Sequence, residues 1–319
     1  MNDRPARAAA STSTSTATSI SAAAPNFSVE DLDRLTGWRF ETLYPDYAQG
    51  HAVTRVLHDD ASGQQHVQVV ETARFGRMLL LDGVVQTAEA DEHIYHEMLA
   101  HTPILAHGAA RRVLIIGGGD GGMLREVRRH ASVKSITMVE IDESVVTFCK
   151  RHLPSLSDGA FDDPRLKLVI DDAAAFVKRS RKTFDVIIAD RPDPIGPGAA
   201  LFARSFYENC KARLAEGGVL VTQNGVPFMQ PDELHEDMAI FSEIFVDAAC
   251  YLAAVPTYSG GFMAFGWGSD NPSLRKVSEK RLRKRMEKTG LETRYYTPAV
   301  HKAAFALPRA IEQLLPPRR

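Results

Sequence analysis

Between residues 112 and 225 the chain repeats one pattern five times, and that repetition leaves few folds open. RVLIIG (112–117), SITMVEID (135–142), LKLVIDD (166–172), FDVIIADRPDP (184–194) and GGVLVTQNG (217–225) are apolar runs that give way to glycine, polar or acidic residues. Stretches of helical spacing separate them. A strand with one wet face alternates apolar and polar residues, whereas these runs are apolar throughout, as strands covered on both faces are. Strand–helix alternation of this kind predicts a doubly wound, mostly parallel α/β sheet.

Two further runs, AACYLAAVP (248–256) and GFMAFGWG (261–268), read as strands joined by a tight turn at Tyr258-Ser259-Gly260. A sheet ending in such a hairpin is Rossmann-like in the class I methyltransferase manner rather than the dehydrogenase manner. Upstream, from Trp38 to about Thr87, the segments 51–58, 66–72 and 77–87 are short and alternating or apolar, with breaks at SGQQ and FGR and a turn at Asp82-Gly83. They predict a small N-terminal antiparallel β domain. An amphipathic helix is expected over roughly Asp91 to His101, with Ile94, Met98 and Leu99 on one face.

Residues 1–27 are dominated by Ala, Ser and Thr and hold little apolar surface. Such a segment reads as a disordered tail rather than a targeting peptide. The organisation expected is therefore a tail (1–27), a β domain (28–100) and a catalytic α/β domain (101–319). Lys and Arg number 38 against 40 Asp and Glu, a net charge of −2 that gives no reason to expect a nucleic-acid or membrane partner. The basic stretch 275–288 carries Val277, Leu282 and Met286 at helical spacing and reads as a solvated surface helix. No apolar run approaches the roughly 18 residues of a spanning helix. The three scattered cysteines, Cys149, Cys210 and Cys250, read as free thiols of a cytoplasmic protein.

Gly117-Gly118-Gly119-Asp120-Gly121-Gly122 follows the first buried run and precedes a helical stretch, and Glu140 ends the next run about 20 residues on, where a ribose-binding acid belongs. Asp120 argues against a dinucleotide, because a carboxylate there would repel a pyrophosphate. It favours a nucleoside with a cationic tail. Asp120, Glu140, Asp171-Asp172, Asp190 and Asp193 all stand at strand ends, where open α/β sheets bind ligands. Carboxylates gathered in one crevice repel one another unless cations occupy it. A metal would favour ligands clustered in one loop, so acids spread over several strands fit an elongated organic polycation better. Prolines 192, 194 and 197 shape the loop after Asp190. His93 and His96 lie at i and i+3 with no third ligand in motif spacing, so no metal site is expected. Tyr95 and His96, with acidic Asp91, Glu92 and Glu97 as neighbours, are candidates to face the crevice instead.

At GGGDGG, VEID, IDDA and ADRPDPIGPG the chain resembles the bacterial spermidine synthases, or polyamine aminopropyltransferases, and LDGVVQTAEADEHIYHEM (81–98) and RYYTPAVHKAAFALP (294–308) match that family as well. The resemblance implies a homodimer that moves an aminopropyl group from decarboxylated S-adenosylmethionine, a co-substrate, to putrescine, with no metal or resident cofactor. An amine N-methyltransferase and a catalytically silent polyamine-binding homologue are the rival readings. It implies that Gln65 and Glu140 contact the nucleoside, that Asp172 hydrogen-bonds the adenine amine, and that Pro197 marks a covering loop. It places Asp120 and His96 near the aminopropyl and polyamine chain, and Asp193, Tyr258, Gln86 and Tyr95 along the amine groove. Asp190 is the implied proton acceptor. Two positions depart from the family pattern. Ala173 replaces a usual glycine beside the adenine, and Arg191-Pro192 replaces small residues. Arg191 has two orientations open to it. Facing the groove, it would oppose a diammonium acceptor and leave putrescine, cadaverine, agmatine and spermidine unranked. Otherwise it pairs with a neighbouring aspartate or meets solvent.

Overall fold

The computed structural model describes residues 37–61, 66–192 and 196–317. The tail read at 1–27, Gln65 and Asp193 lie outside them. Strands β1 (Trp38–Tyr44), β2 (Tyr47–Asp60), β3 (Val67–Thr72), β4 (Gly76–Leu81) and β5 (Val84–Ala88) form an antiparallel sheet in sequence order. Between β4 and β5, Asp82 and Gly83 both have positive φ, 50° and 78°, the type I′ geometry whose twist suits a hairpin.

The second sheet contains β6 (Arg112–Gly117), β7 (Ser135–Glu140), β8 (Leu166–Ile170), β9 (Phe184–Asp190), β10 (Leu214–Gln223), β11 (Asp247–Ala253) and β12 (Met263–Ser269), in the order β11-β12-β10-β9-β6-β7-β8. The five strands from β10 to β8 are parallel, and β12 runs antiparallel to both β10 and β11. The uninterrupted apolar runs are explained by the two cores they serve. Val113, Ile115, Val186 and Ile188 enter one, while Leu114, Ile116, Ile187 and Ala189 enter the other.

Three sequence expectations change here. Helix α1 (Glu92–His107) is longer than expected and is not amphipathic. Every residue from Tyr95 to Ala106 is buried, because the helix is covered on all sides and carries Pro103 within it. The join between β11 and β12 is no tight turn, since Ala253 pairs with Met263 and residues 254–262 connect them. That connection is a strap tied to the first sheet: the Thr257 carbonyl accepts from Gln49 Nε2 at 3.3 Å, and Tyr258 Oη donates to the Gln86 carbonyl at 2.7 Å. In the basic stretch, a helix spans Glu279–Thr289, but Arg285 turns inward and donates to the carbonyls of Leu105 and Ala106 at the end of α1. Among the described residues no helix is long and apolar enough to cross a membrane.

His101, His130 and His301 are fully buried near the far end of α1. Burial, with His101 adding repulsion, holds His130 well below its ordinary range, and burial with Lys302 and Arg285 lowers His301 to about 3. Unfolded, each ring binds a proton near pH 6.5. A depressed folded value gives stability that is complete above that pH and declines as pH falls towards the folded value, by about 1.4 kcal/mol per pH unit for each group. Chemical unfolding between pH 6.5 and 5 is therefore expected to have a shallower pH slope in His301→Gln than in the wild type, by about that amount. Equal slopes would show that His301 does not resist protonation.

Candidate active site

The chain crosses the centre of the large sheet between β6 and β9, which is its topological switch point, and Gly117 and Asp190 are register partners there. The glycine loop therefore starts directly beside Asp190. Gly117 has φ 80°, and a Cβ on it would overlap the Asp190 carbonyl oxygen, so only glycine fits. A Cβ on Gly119 would lie 3.0 Å from Glu140 Oε2, which places the loop between the Asp190 and Glu140 carboxylates. Asp120 folds back to accept the Gly122 N–H through Oδ1 at 2.7 Å. A Cβ on Gly122 would overlap the His96 ring.

Helix α1 supplies the other wall. Tyr95 Oη donates to Asp190 Oδ1 at 2.6 Å, and His96 Nε2 lies 3.6 Å from Asp120 Oδ2. Tyr258, on the strap, stacks edge-on to Tyr95 with centroids 6.2 Å apart. The structure thus gathers Asp120, Asp190, His96, Tyr95 and Tyr258 around the glycine loop, with Glu140 against Gly119. Gln86 reaches the group through its backbone carbonyl, which holds Tyr258, while its side-chain amide donates to the Val84 carbonyl at 3.2 Å.

The electrostatics follow from burial and from these neighbours. Burial raises Asp190 above the ordinary carboxylate range, against the opposing pull of His96, with Asp120 adding to the rise and the Tyr95 hydroxyl tempering it. Burial disfavours the charged His96 ring, yet Asp120, Glu92 and Asp190 together raise it to about 9. Burial also raises Glu140, although the N–H groups of Asp142 and Ile141 hold its carboxylate, the latter at 2.8 Å.

The two acids that follow β8 make contacts of their own. Asp171 pairs with Arg179 on the surface. Asp172 Oδ1 caps the helix Ala173–Arg179 through the Ala175 N–H at 2.8 Å, so Ala173 is the first residue of that helix. Pro197 lies in the 3-10 turn Gly196–Phe202. His93 and His96 do not act together, and among the described residues no group of three or more His, Cys, Asp or Glu is arranged to hold a metal ion.

Arg191 corrects the groove-facing expectation. Its side chain is fully buried and points away from the crevice, between β10 and the helices Arg204–Ala212 and Pro231–Ile244. There it pairs with Asp237 and donates to the Tyr207 hydroxyl, to the Gln223 carbonyl at 2.9 and 3.1 Å and to the Leu201 carbonyl at 2.7 Å. Phe202 covers the guanidinium at 3.6 Å. Five hydrogen bonds to four acceptors and an aromatic face satisfy the fork-shaped cation more fully than an open groove could.

Sequence reasoning missed three supporting residues. Glu92 binds His96 Nδ1 at 2.6 Å, a contact that the i, i+4 spacing signals. Asp91 receives both the N–H and the hydroxyl of Thr257 at 2.6 Å and so ties the strap to the start of α1. Arg125 joins Glu92 to Glu126 at 2.7 Å each, and nothing in the pattern of the sequence marks it.

A doubly wound α/β sheet that ends in an antiparallel hairpin, with a glycine loop and carboxylates at its switch point, is the Rossmann-like, class I methyltransferase-type architecture. Comparison narrows that class. A family model described as the spermine/spermidine synthase domain matches residues 92–279, and one described as the spermidine synthase tetramerisation domain matches residues 37–89. The chain is 56% identical over 275 residues to polyamine aminopropyltransferase 1 of Pseudomonas aeruginosa, covering 86% of this chain and 96% of the relative. It is 56% identical over 279 residues to the polyamine aminopropyltransferase of a Ruegeria species, covering 88% and 98%. A solved spermidine synthase in complex with the transition state analogue AdoDATO superposes with a TM-score of 0.82 at 35% identity, over 87% of this chain and 94% of that one. The spermidine synthase of Thermotoga maritima gives 0.78 at 34%, over 87% and 93%. The chain belongs to the spermidine synthase, or polyamine aminopropyltransferase, family of enzymes.

Proposed function

We propose that the protein transfers the aminopropyl group of decarboxylated S-adenosylmethionine to putrescine, giving spermidine and 5′-methylthioadenosine. The observation that carries the reading is the set of carboxylates gathered around the glycine loop. Glu140 lies against Gly119 and is suited to ribose hydroxyls, and the Asp120–His96–Asp190–Tyr95 group is suited to ammonium groups. In this reading Gln65 contacts the nucleoside, Asp172 and Ala173 border the adenine, and Pro197 marks the loop that covers the nucleoside. Asp120 holds the aminopropyl ammonium, and Asp193, Tyr258, Gln86 and Tyr95 line the acceptor groove.

The reaction asks little of the protein. An amine with a pKa near 10 arrives protonated and cannot attack. Asp190, whose proton affinity burial has raised, takes the proton as the nitrogen approaches. A nitrogen–carbon bond forms, the carbon–sulfur bond breaks, and its electron pair returns to sulfur, turning the sulfonium into the neutral thioether of methylthioadenosine. The sulfonium is already a good leaving group, so alignment of nitrogen, carbon and sulfur supplies much of the acceleration. No step calls for a metal or a resident cofactor. Because Arg191 is buried elsewhere, it sets no charge against a diammonium acceptor.

An acceptor panel of putrescine, cadaverine, agmatine and spermidine, with products identified by mass spectrometry, tests the reading. Spermidine formed fastest from putrescine is the expected result. Methyl transfer from intact S-adenosylmethionine, or no turnover at all, would overturn it in favour of an N-methyltransferase or a silent homologue. A homodimer in the cytoplasm without nucleic-acid or membrane partners completes the proposal. The match of residues 37–89 to a tetramerisation domain supports an oligomer. The three buried free cysteines suit a reducing compartment.

Donor choice gives a further expected outcome. Asp120→Asn should weaken decarboxylated S-adenosylmethionine by roughly ten- to a hundredfold, the value of a charge-assisted hydrogen bond at about 1.5–3 kcal/mol. Methylthioadenosine, which has no ammonium, should bind almost as before. Calorimetry showing equal losses for both ligands would remove Asp120 from the role.

A further inference from the structure

We propose that Glu92 is a positioning residue that, acting through His96, keeps the Asp190 carboxylate in its proton-accepting form. The inference rests on the reading of Asp190 as proton acceptor and extends it to a residue that touches no substrate.

The geometry is a ladder of alternating charge running inward from the crevice. Asp120 Oδ2 faces His96 Nε2 at 3.6 Å, His96 Nδ1 meets Glu92 Oε2 at 2.6 Å, and that same oxygen accepts from Arg125 Nη2 at 2.7 Å. Arg125 in turn donates to Glu126 Oε1 and to the Leu156 carbonyl, each at 2.7 Å, so it cannot swing away. The Glu92 and His96 side chains are only 6% and 4% exposed, so water does little to screen their contact. One nitrogen of the ring is committed to Glu92, and the ring is packed against Gly122. The other nitrogen has no orientation left except towards Asp120 and the amine site.

The groups that face His96 are known from each side. Glu92 approaches from its own helix, Asp120 from the glycine loop and Asp190 from the end of β9. The Glu92 carboxylate, held well below its ordinary range at about 2 despite burial, stays charged and so keeps a proton on His96. The imidazolium, whose ring centroid lies 5.3 Å from that of the Tyr95 ring that donates to Asp190, then opposes the effect of burial on that carboxylate. With His96 neutral, Asp190 would hold its own proton at higher pH and could not accept one from the amine. The sign is fixed: losing the Glu92 charge moves the acidic limb of the activity profile upward.

The test is the pH profile of kcat/KM for the amine. Glu92→Gln should raise the acidic limb by about one unit, the low end of the shift a neighbouring opposite charge produces. Glu92→Asp, which keeps the charge, should restore most of the wild-type limb. His96→Gln should raise the limb similarly, and adding Glu92→Gln to it should change nothing more. The Kd of methylthioadenosine should be the same in all of them. A rate lowered equally at every pH with the limb unmoved, or an added shift in the double variant, would overturn the proposal. Should the variants fail to fold, the wild-type ring nitrogens can be titrated by NMR with labelled histidine. A charged His96 at pH 7.5 is expected, and a neutral one overturns the inference. That titration needs no turnover, so an inactive wild type would defeat the proposed function while leaving this measurement decisive.

Discussion

Asp190→Asn is expected to lower turnover by about 10²–10⁴-fold while the affinity for methylthioadenosine stays close to that of the wild type. The amide has nearly the shape of the carboxylate, and Tyr95 can still donate to its oxygen, so the crevice should keep its form. What is lost is the capacity to accept a proton. An approaching ammonium would then have to give its proton to water from a site that water has largely left. Burial sharpens the contrast, because it is what raises the proton affinity of Asp190. Stopped-flow or steady-state kinetics beside calorimetry with methylthioadenosine make the comparison. Turnover within a few-fold of the wild type would show that another group takes the proton.

Arg191→Ser should cost about 3–5 kcal/mol of stability, since it strands the buried Asp237 carboxylate without its cation. The Tyr207 hydroxyl and the Leu201 and Gln223 carbonyls would lose their donor at the same time. Replacing the pair together with apolar residues, Arg191→Met with Asp237→Leu, should recover much of the loss, because it removes both desolvated charges. Denaturant unfolding measures both variants. Any folded Arg191→Ser enzyme should rank its amine acceptors as the wild type does. A stable variant with an altered ranking would return Arg191 to the groove.

Those two neighbours in the chain show how far the sequence could be read. Asp190 was legible because a strand-end acid at a switch point has one place to go, the crevice above the sheet. Arg191 was not, because one step further along the backbone the side chain points the other way, and its partner Asp237 lies 46 positions along the chain on a helix. The parallel strands were legible for a similar reason: five runs apolar on both faces require two covers. The full burial of α1 was not, since a periodicity argument finds one apolar face and cannot see that Glu97, His101 and Thr102 on the other faces are buried too. The strap at 254–262 reads from the sequence as a tight turn because Tyr258-Ser259-Gly260 is turn chemistry, while the contacts that extend it lie elsewhere, with Gln49 and Gln86 in the first sheet and Asp91 at the start of α1. Glu92 sat in view as a neighbour of His96, but only its hydrogen bond distinguishes it from a solvated helix-start acid.

The Glu97 carboxylate, one turn past His93, accepts the backbone N–H groups of Arg294, Tyr295 and Tyr296 at 2.7 to 2.8 Å. Three peptide groups that no strand or helix pairs are thus satisfied by one side chain of the catalytic helix. Opening either partner exposes the other's unpaired polar groups, so the two should open and close as one cooperative unit, although nearly two hundred residues separate them in the chain. Residues 294–296 are therefore part of the foldon that carries Tyr95 and His96, and the active site cannot be completed until they have been made.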